Sequence, residues 1–128
     1  MSAKLIPAIL CAVFASPAFA QSMTPMRGEI TSFSEDFAVR VYPHNPYRHR
    51  IEVSVRVYDE NFKPVAARVT PQTMVLGSNA SRSVIVSVGF GDSKMRRVRV
   101  CTESIPFPDQ KTRIMAQICG RFIARRAR

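Results

Sequence analysis

The chain has 128 residues, with 19 Lys and Arg against 9 Asp and Glu, and a formal net charge of +10. That length allows one folded domain and excludes a multidomain machine. The basic balance would suggest nucleic acid in a cytoplasmic protein, but the N-terminus argues for export and so against that partner.

Residues 1–20 read as a cleaved signal peptide, leaving a domain over 21–128. Lys4 supplies the positive charge, Leu5 to Phe14 is mostly apolar, and Ala18-Phe19-Ala20 is a small-x-small cleavage signal before Gln21. The apolar run is short for a membrane anchor, which needs about 20 residues. Leu10 before Cys11 fits a lipoprotein signal poorly. A periplasmic or secreted location follows. There, a basic surface suits anionic cell-envelope components or carboxylate-bearing protein partners. Arg outnumbers Lys 15 to 4, which tilts the choice towards carboxylates, because guanidinium grips them bidentately.

After a loose segment from Gln21 to Arg27, the chain reads as a series of short strands. Gly28 to Phe33 is the first. Phe37 to Tyr42 alternates, with Phe37, Val39 and Val41 towards the core. Pro43-His44-Asn45-Pro46 breaks it. Arg50 to Tyr58 is the clearest strand, with Ile51, Val53, Val55 and Val57 on one face. Val65 to Val69 is extended, Pro71 ends it, and Met74-Val75-Leu76 resumes. Val84, Val86 and Val88 mark another alternating strand. About seven strands, with turn signals between them and no amphipathic helix, predict an all-β, immunoglobulin-like antiparallel sandwich; a small closed barrel is the alternative.

The chain closes on a hairpin. Arg96 to Pro106 and Thr112 to Arg126 flank a polar turn, with a cysteine in each arm. Antiparallel pairing about residue 110 sets Cys101 opposite Cys119, Val98 opposite Phe122, Val100 opposite Gly120 and Thr102 opposite Ile118. With Cys11 removed, two cysteines in an oxidising compartment favour a disulfide over metal ligation or thiol catalysis. The second arm is partly apolar on both faces: Ile114, Ala116, Ile118, Gly120 and Phe122 on one, Met115, Cys119 and Ile123 among those on the other. A last strand often lies at a sheet edge, where it can accept or supply a strand.

Catalytic chemistry finds no support. The only histidines, His44 and His49, lie five apart beside a proline-rich loop, a poor metal pair. The serines lack a Gly-x-Ser-x-Gly setting, and there is no phosphate-binding glycine loop. The expectation is a non-catalytic binding protein without cofactor or metal.

The ordered features resemble the N-terminal domain of periplasmic pilus chaperones of the chaperone–usher pathway. They are Arg27 before the first strand, Asn45-Pro46 at a strand end, Val69-Thr70-Pro71 before Met74-Val75-Leu76, Ser83-Val84-Ile85-Val86, and Arg99-Val100-Cys101-Thr102-Glu103-Ser104-Ile105-Pro106. The last looks like the family's Glu-x-Ile-Pro strand, and a long strand ending in Arg-Phe-x-x-Arg follows it. The resemblance implies strand complementation of a pilin-like or other exported subunit in pilus assembly. It matches Arg27 and Arg121 to basic anchors for the subunit's C-terminal carboxylate, and Ile114, Ala116 and Ile118 to the lent side chains. The family's second domain has no counterpart after Ala127-Arg128, and the cysteine bridge is not a general family feature. The alternative is a basic structural or surface-interaction module that binds anionic envelope components.

Overall fold

A computed structural model describes residues 22–127; residues 1–20, read above as a signal peptide, lie outside them. Among the described residues, nine strands form two sheets. They are β1 (Ser22–Thr24), β2 (Arg27–Ser32), β3 (Asp36–His44), β4 (Ile51–Tyr58), β5 (Ala67–Thr70), β6 (Thr73–Leu76), β7 (Val84–Gly89), β8 (Met95–Ser104) and β9 (Ala116–Arg126). One sheet runs β1-β3-β7-β5 and the other β2-β9-β8-β4-β6. The sheets do not close into a barrel, so the sandwich reading holds over the barrel alternative.

The valine strands build the core as their alternation requires. Val39 and Val41 of β3, Val53, Val55 and Val57 of β4, Val84, Val86 and Val88 of β7, and Val98 and Val100 of β8 are all buried. Successive strand residues face opposite sides, so each strand presents one apolar row to the other sheet. Phe37 and Phe90 close one part of this layer, with ring centroids 5.1 Å apart.

Two features depart from the sequence reading. The segment expected to be loose is not: Ser22–Thr24 pairs with Tyr42–His44, and Met23 is only 1% exposed. The chain then crosses to the other sheet, where β2 runs parallel to β9. Likewise β5 belongs to the four-stranded sheet and β6 to the five-stranded one. A proline, Pro25 or Pro71, follows the last residue or so of the first strand at each crossing. Proline has no N–H for the ladder, so pairing stops there and the chain can change sheets. These crossings raise the strand count from about seven to nine.

Candidate functional site

From Met95 to Ser104 the closing hairpin adopts the expected register, with Cys101↔Cys119, Val98↔Phe122, Val100↔Gly120 and Thr102↔Ile118. The cysteines form a disulfide, with their Cα atoms 4.0 Å apart. Hydrogen-bond parity explains this closeness. The Arg126 N–H reaches back to Lys94 O beside β8, whereas Arg121 N–H donates outward to Met26 O. Even-numbered residues of β9 therefore bond towards β8, and odd-numbered ones face away. Cys101 and Cys119 thus form a non-hydrogen-bonded pair, the closer of the two antiparallel pair types.

The same parity defines a site. From Arg121 to Arg126, β9 is covered by β2. From Ala116 to Gly120 it pairs, among the described residues, with β8 alone. The peptide groups of Gln117 and Cys119 therefore face an open edge. The expectation that the last strand lies at a sheet edge is corrected accordingly. β9 is internal over its second half, because the strand that crossed from the other sheet covers it, and open over its first half.

Along this edge Ala116 and Ile118 lie on the core-facing side but are only half-buried, whereas Gly120, Phe122 and Ala124 further on are buried. Ile114 lies outside β9, which begins at Ala116; Ile114 is 63% exposed, as is Met115. Ile114 therefore does not share a strand with Ala116 and Ile118. The segment before β9 is held at its base by a stack that the sequence reading missed. His49 Nε2 donates to Pro106 O at 2.6 Å, and the rings of Tyr47, His49 and Phe107 lie 5.2 to 5.3 Å apart.

At the other end of the open edge, Arg27 and Arg121 come together as direct register partners on β2 and β9. Both are exposed, and with Gly28, Glu29 and Ile123 they line a shallow concavity. Ninety-four residues apart in sequence, they meet because β2 lies parallel to β9. Phe122, next to Arg121, needs two glycines. A Cβ at Gly28 would lie 3.0 Å from its ring, and one at Gly120 would lie 2.9 Å from it and 3.1 Å from Met26 O.

Glu103 forms a hub on the outer face of this sheet. Tyr58 Oη donates to its Oε1 at 2.5 Å and Gln117 Nε2 at 3.0 Å, while Arg56 Nε lies 3.4 Å from Oε2. The hydrogen bond to this carboxylate, with burial adding to it, pushes the Tyr58 hydroxyl above the ordinary tyrosine pKa. Gln117 is thereby tied to β8 by its side chain while its peptide groups face outward. Among the described residues no group of three His, Cys, Asp or Glu is placed to hold a metal ion.

The sandwich, the crossing first strand and the half-open last strand define an immunoglobulin-like domain. Its fold is that of the pilus chaperones of the chaperone–usher pathway. The Escherichia coli chaperone DraB superposes with a TM-score of 0.71 at 18% identity, over 85% of this chain and 56% of that one. Salmonella enterica SafB, solved in complex with the SafA pilin, gives 0.69 at 18% identity, over 88% and 57%. The periplasmic chaperone SfaE gives 0.66 at 12% identity, over 85% and 59%. The chain thus spans a little over half the length of these proteins. No family model and no curated protein sequence matches it.

Proposed function

We propose that this chain is an exported, non-catalytic chaperone or assembly protein that lends the open half of β9 to a pilin-like subunit and anchors that subunit's C-terminal carboxylate between Arg27 and Arg121. The observation that carries this is where the open edge stops. Met26 O already occupies the Arg121 N–H. A strand added parallel to β9 must therefore end there, with its carboxylate beside two guanidinium groups. Ile118 and Ala116, half-buried, supply apolar surface along the added strand, and exposed Ile114 extends it beyond the strand's start. The fold likeness to chaperones, one of them solved with its pilin, supports the same reading.

The test uses the disulfide-intact domain and a synthetic peptide of alternating valine and threonine with a free C-terminus, followed by fluorescence anisotropy. Arg27→Gln, Arg121→Gln or amidation of the peptide should each weaken binding about tenfold or more, the scale of a lost charge-assisted bond. Ile118→Asp should abolish it. A folded Ile118→Asp protein that binds as well as the wild type would overturn the proposal.

A second reading draws on the arginines exposed on the same sheet face, which suit anionic envelope components. It predicts binding to anionic vesicles that is lost at high salt and indifferent to Ile118→Asp.

A further inference from the structure

The register that joins Arg27 to Arg121 continues one strand further. Arg121 is also the direct partner of Arg99 on β8, so three arginines cross β2, β9 and β8 in one row. Neighbouring strands lie about 4.8 Å apart, so the row is roughly 10 Å long at the backbone. Like charges placed directly opposite each other on adjacent strands are destabilising, and no salt bridge among the described residues offsets this row. The nearby carboxylates are engaged elsewhere: Glu29 with Arg125 at 3.8 Å, Glu60 with Arg97 at 4.0 Å, and Glu103 with Arg56. None of the three arginines of the row has a carboxylate partner among the described residues.

Arg99 is held in place rather than loose. Its guanidinium carbon lies 4.4 Å from the centre of the Phe62 ring, a cation–π contact. The turn that carries Phe62 is itself fixed, because Asp59 Oδ1 accepts from the N–H groups of Asn61 and Lys63. The other contacts of Arg99 are weak: one Nη2 bond to Glu60 O at 3.4 Å, and a buried Nε with no hydrogen-bond partner. Arg121 lines both the concavity it shares with Arg27 and a second one it shares with Arg97, Arg99 and Glu60.

We infer that Arg99 and Arg121 form a second carboxylate subsite beside the Arg27–Arg121 anchor, and that the preferred partner carries an acidic side chain at its C-terminal residue. This rests on the anchoring role proposed above. One carboxylate held between Arg27 and Arg121 leaves Arg99, on the β8 side, without an acidic partner. A terminal aspartate supplies two carboxylates on one residue, one for each neighbouring arginine pair of the row. Arg99 sets specificity in this scheme, whereas Arg27 and Arg121 hold the chain end common to every partner.

The experiment compares two alternating valine–threonine peptides, one ending in Asp and one in Asn, each with a free and an amidated C-terminus, on the disulfide-intact protein. The Asp-ended peptide should bind wild-type protein about tenfold more tightly than the Asn-ended one, the scale of one added charge-assisted pair. Arg99→Gln should bring the ratio of Asp-ended to Asn-ended affinity close to one. Arg99→Lys, which keeps the charge but loses the planar fork, should retain only part of it. Equal wild-type affinity for the two free-ended peptides, with amidation still weakening both, overturns the second subsite and leaves the anchor standing. Free-ended peptides that bind no better than amidated ones overturn the anchor and the subsite together. The wild-type comparison needs no variant to fold.

Discussion

Asn45 shows how much one residue can carry. It is fully buried. Its amide nitrogen donates to His49 O, Leu76 O and Gly77 O at 2.9 to 3.0 Å, and its Oδ1 accepts from Tyr47 N–H at 2.9 Å. It therefore ties the end of β3 to the end of β6, more than thirty residues away, and orders Tyr47 and His49 beneath the loop before β9. Asn45→Ala would leave buried backbone groups unpaired, so a loss of about 2–4 kcal/mol is expected from urea denaturation. Asn45→Asp should not restore stability, since an ionised carboxylate cannot donate to three carbonyls. A drop under about 0.5 kcal/mol for Asn45→Ala, the range of ordinary surface changes, would refute this role. The sequence shows Asn45-Pro46 as a strand end. It does not show the bonding, because every acceptor but His49 O is remote in sequence.

In β9, position and parity matter more than composition. Gln117 N–H faces the open edge, while Ile118 N–H faces β8. Proline removes an N–H, and is tolerated where that N–H points away from the sheet. Gln117→Pro should therefore leave a folded, disulfide-bonded domain that no longer captures a strand. Ile118→Pro should break the β8–β9 ladder and lower the denaturation midpoint. Circular dichroism and peptide binding on both variants test the pair; equal capture by Gln117→Pro and wild type would mean that this edge is not the one used. The register behind this prediction was legible in the hairpin, since two cysteines and a symmetric turn allow few alignments. The Arg99–Arg121 pairing follows from that register but has no meaning in the hairpin alone, because the charge row emerges only when β2 supplies Arg27. The strand's start was not legible: Ile114 continues the apolar alternation but lies outside the strand, which a periodicity argument cannot detect.

For the molecule as a whole, the valine strands made the sandwich readable, because period-two burial leaves few other folds for so many short alternating segments. The sheet crossings were not readable. A three-residue strand carries too little alternation to register, and Pro25 made residues 21–27 look like a loop. Yet that segment joins the two sheets. Met23 sits in β1 of one sheet, within reach of Gly120 and therefore of β9 in the other; its Cε lies 3.0 Å from where a Gly120 Cβ would stand. Three residues later, Met26 O caps the open edge through Arg121 N–H. The packing that stabilises the sandwich thus also sets where an added strand must stop. Met23→Ala should open a cavity at this junction and cost about 2–5 kcal/mol, as large-to-small core changes do. Met26→Ala, at a side chain 40% exposed, should change stability by less than about 0.5 kcal/mol. Urea denaturation of the two variants separates these expectations, and similar midpoints would mean that β1 is not part of the core. Because the capping carbonyl is backbone, Met26→Ala should also leave peptide capture intact, while Met23→Ala weakens it through the displaced β1–β2 crossing.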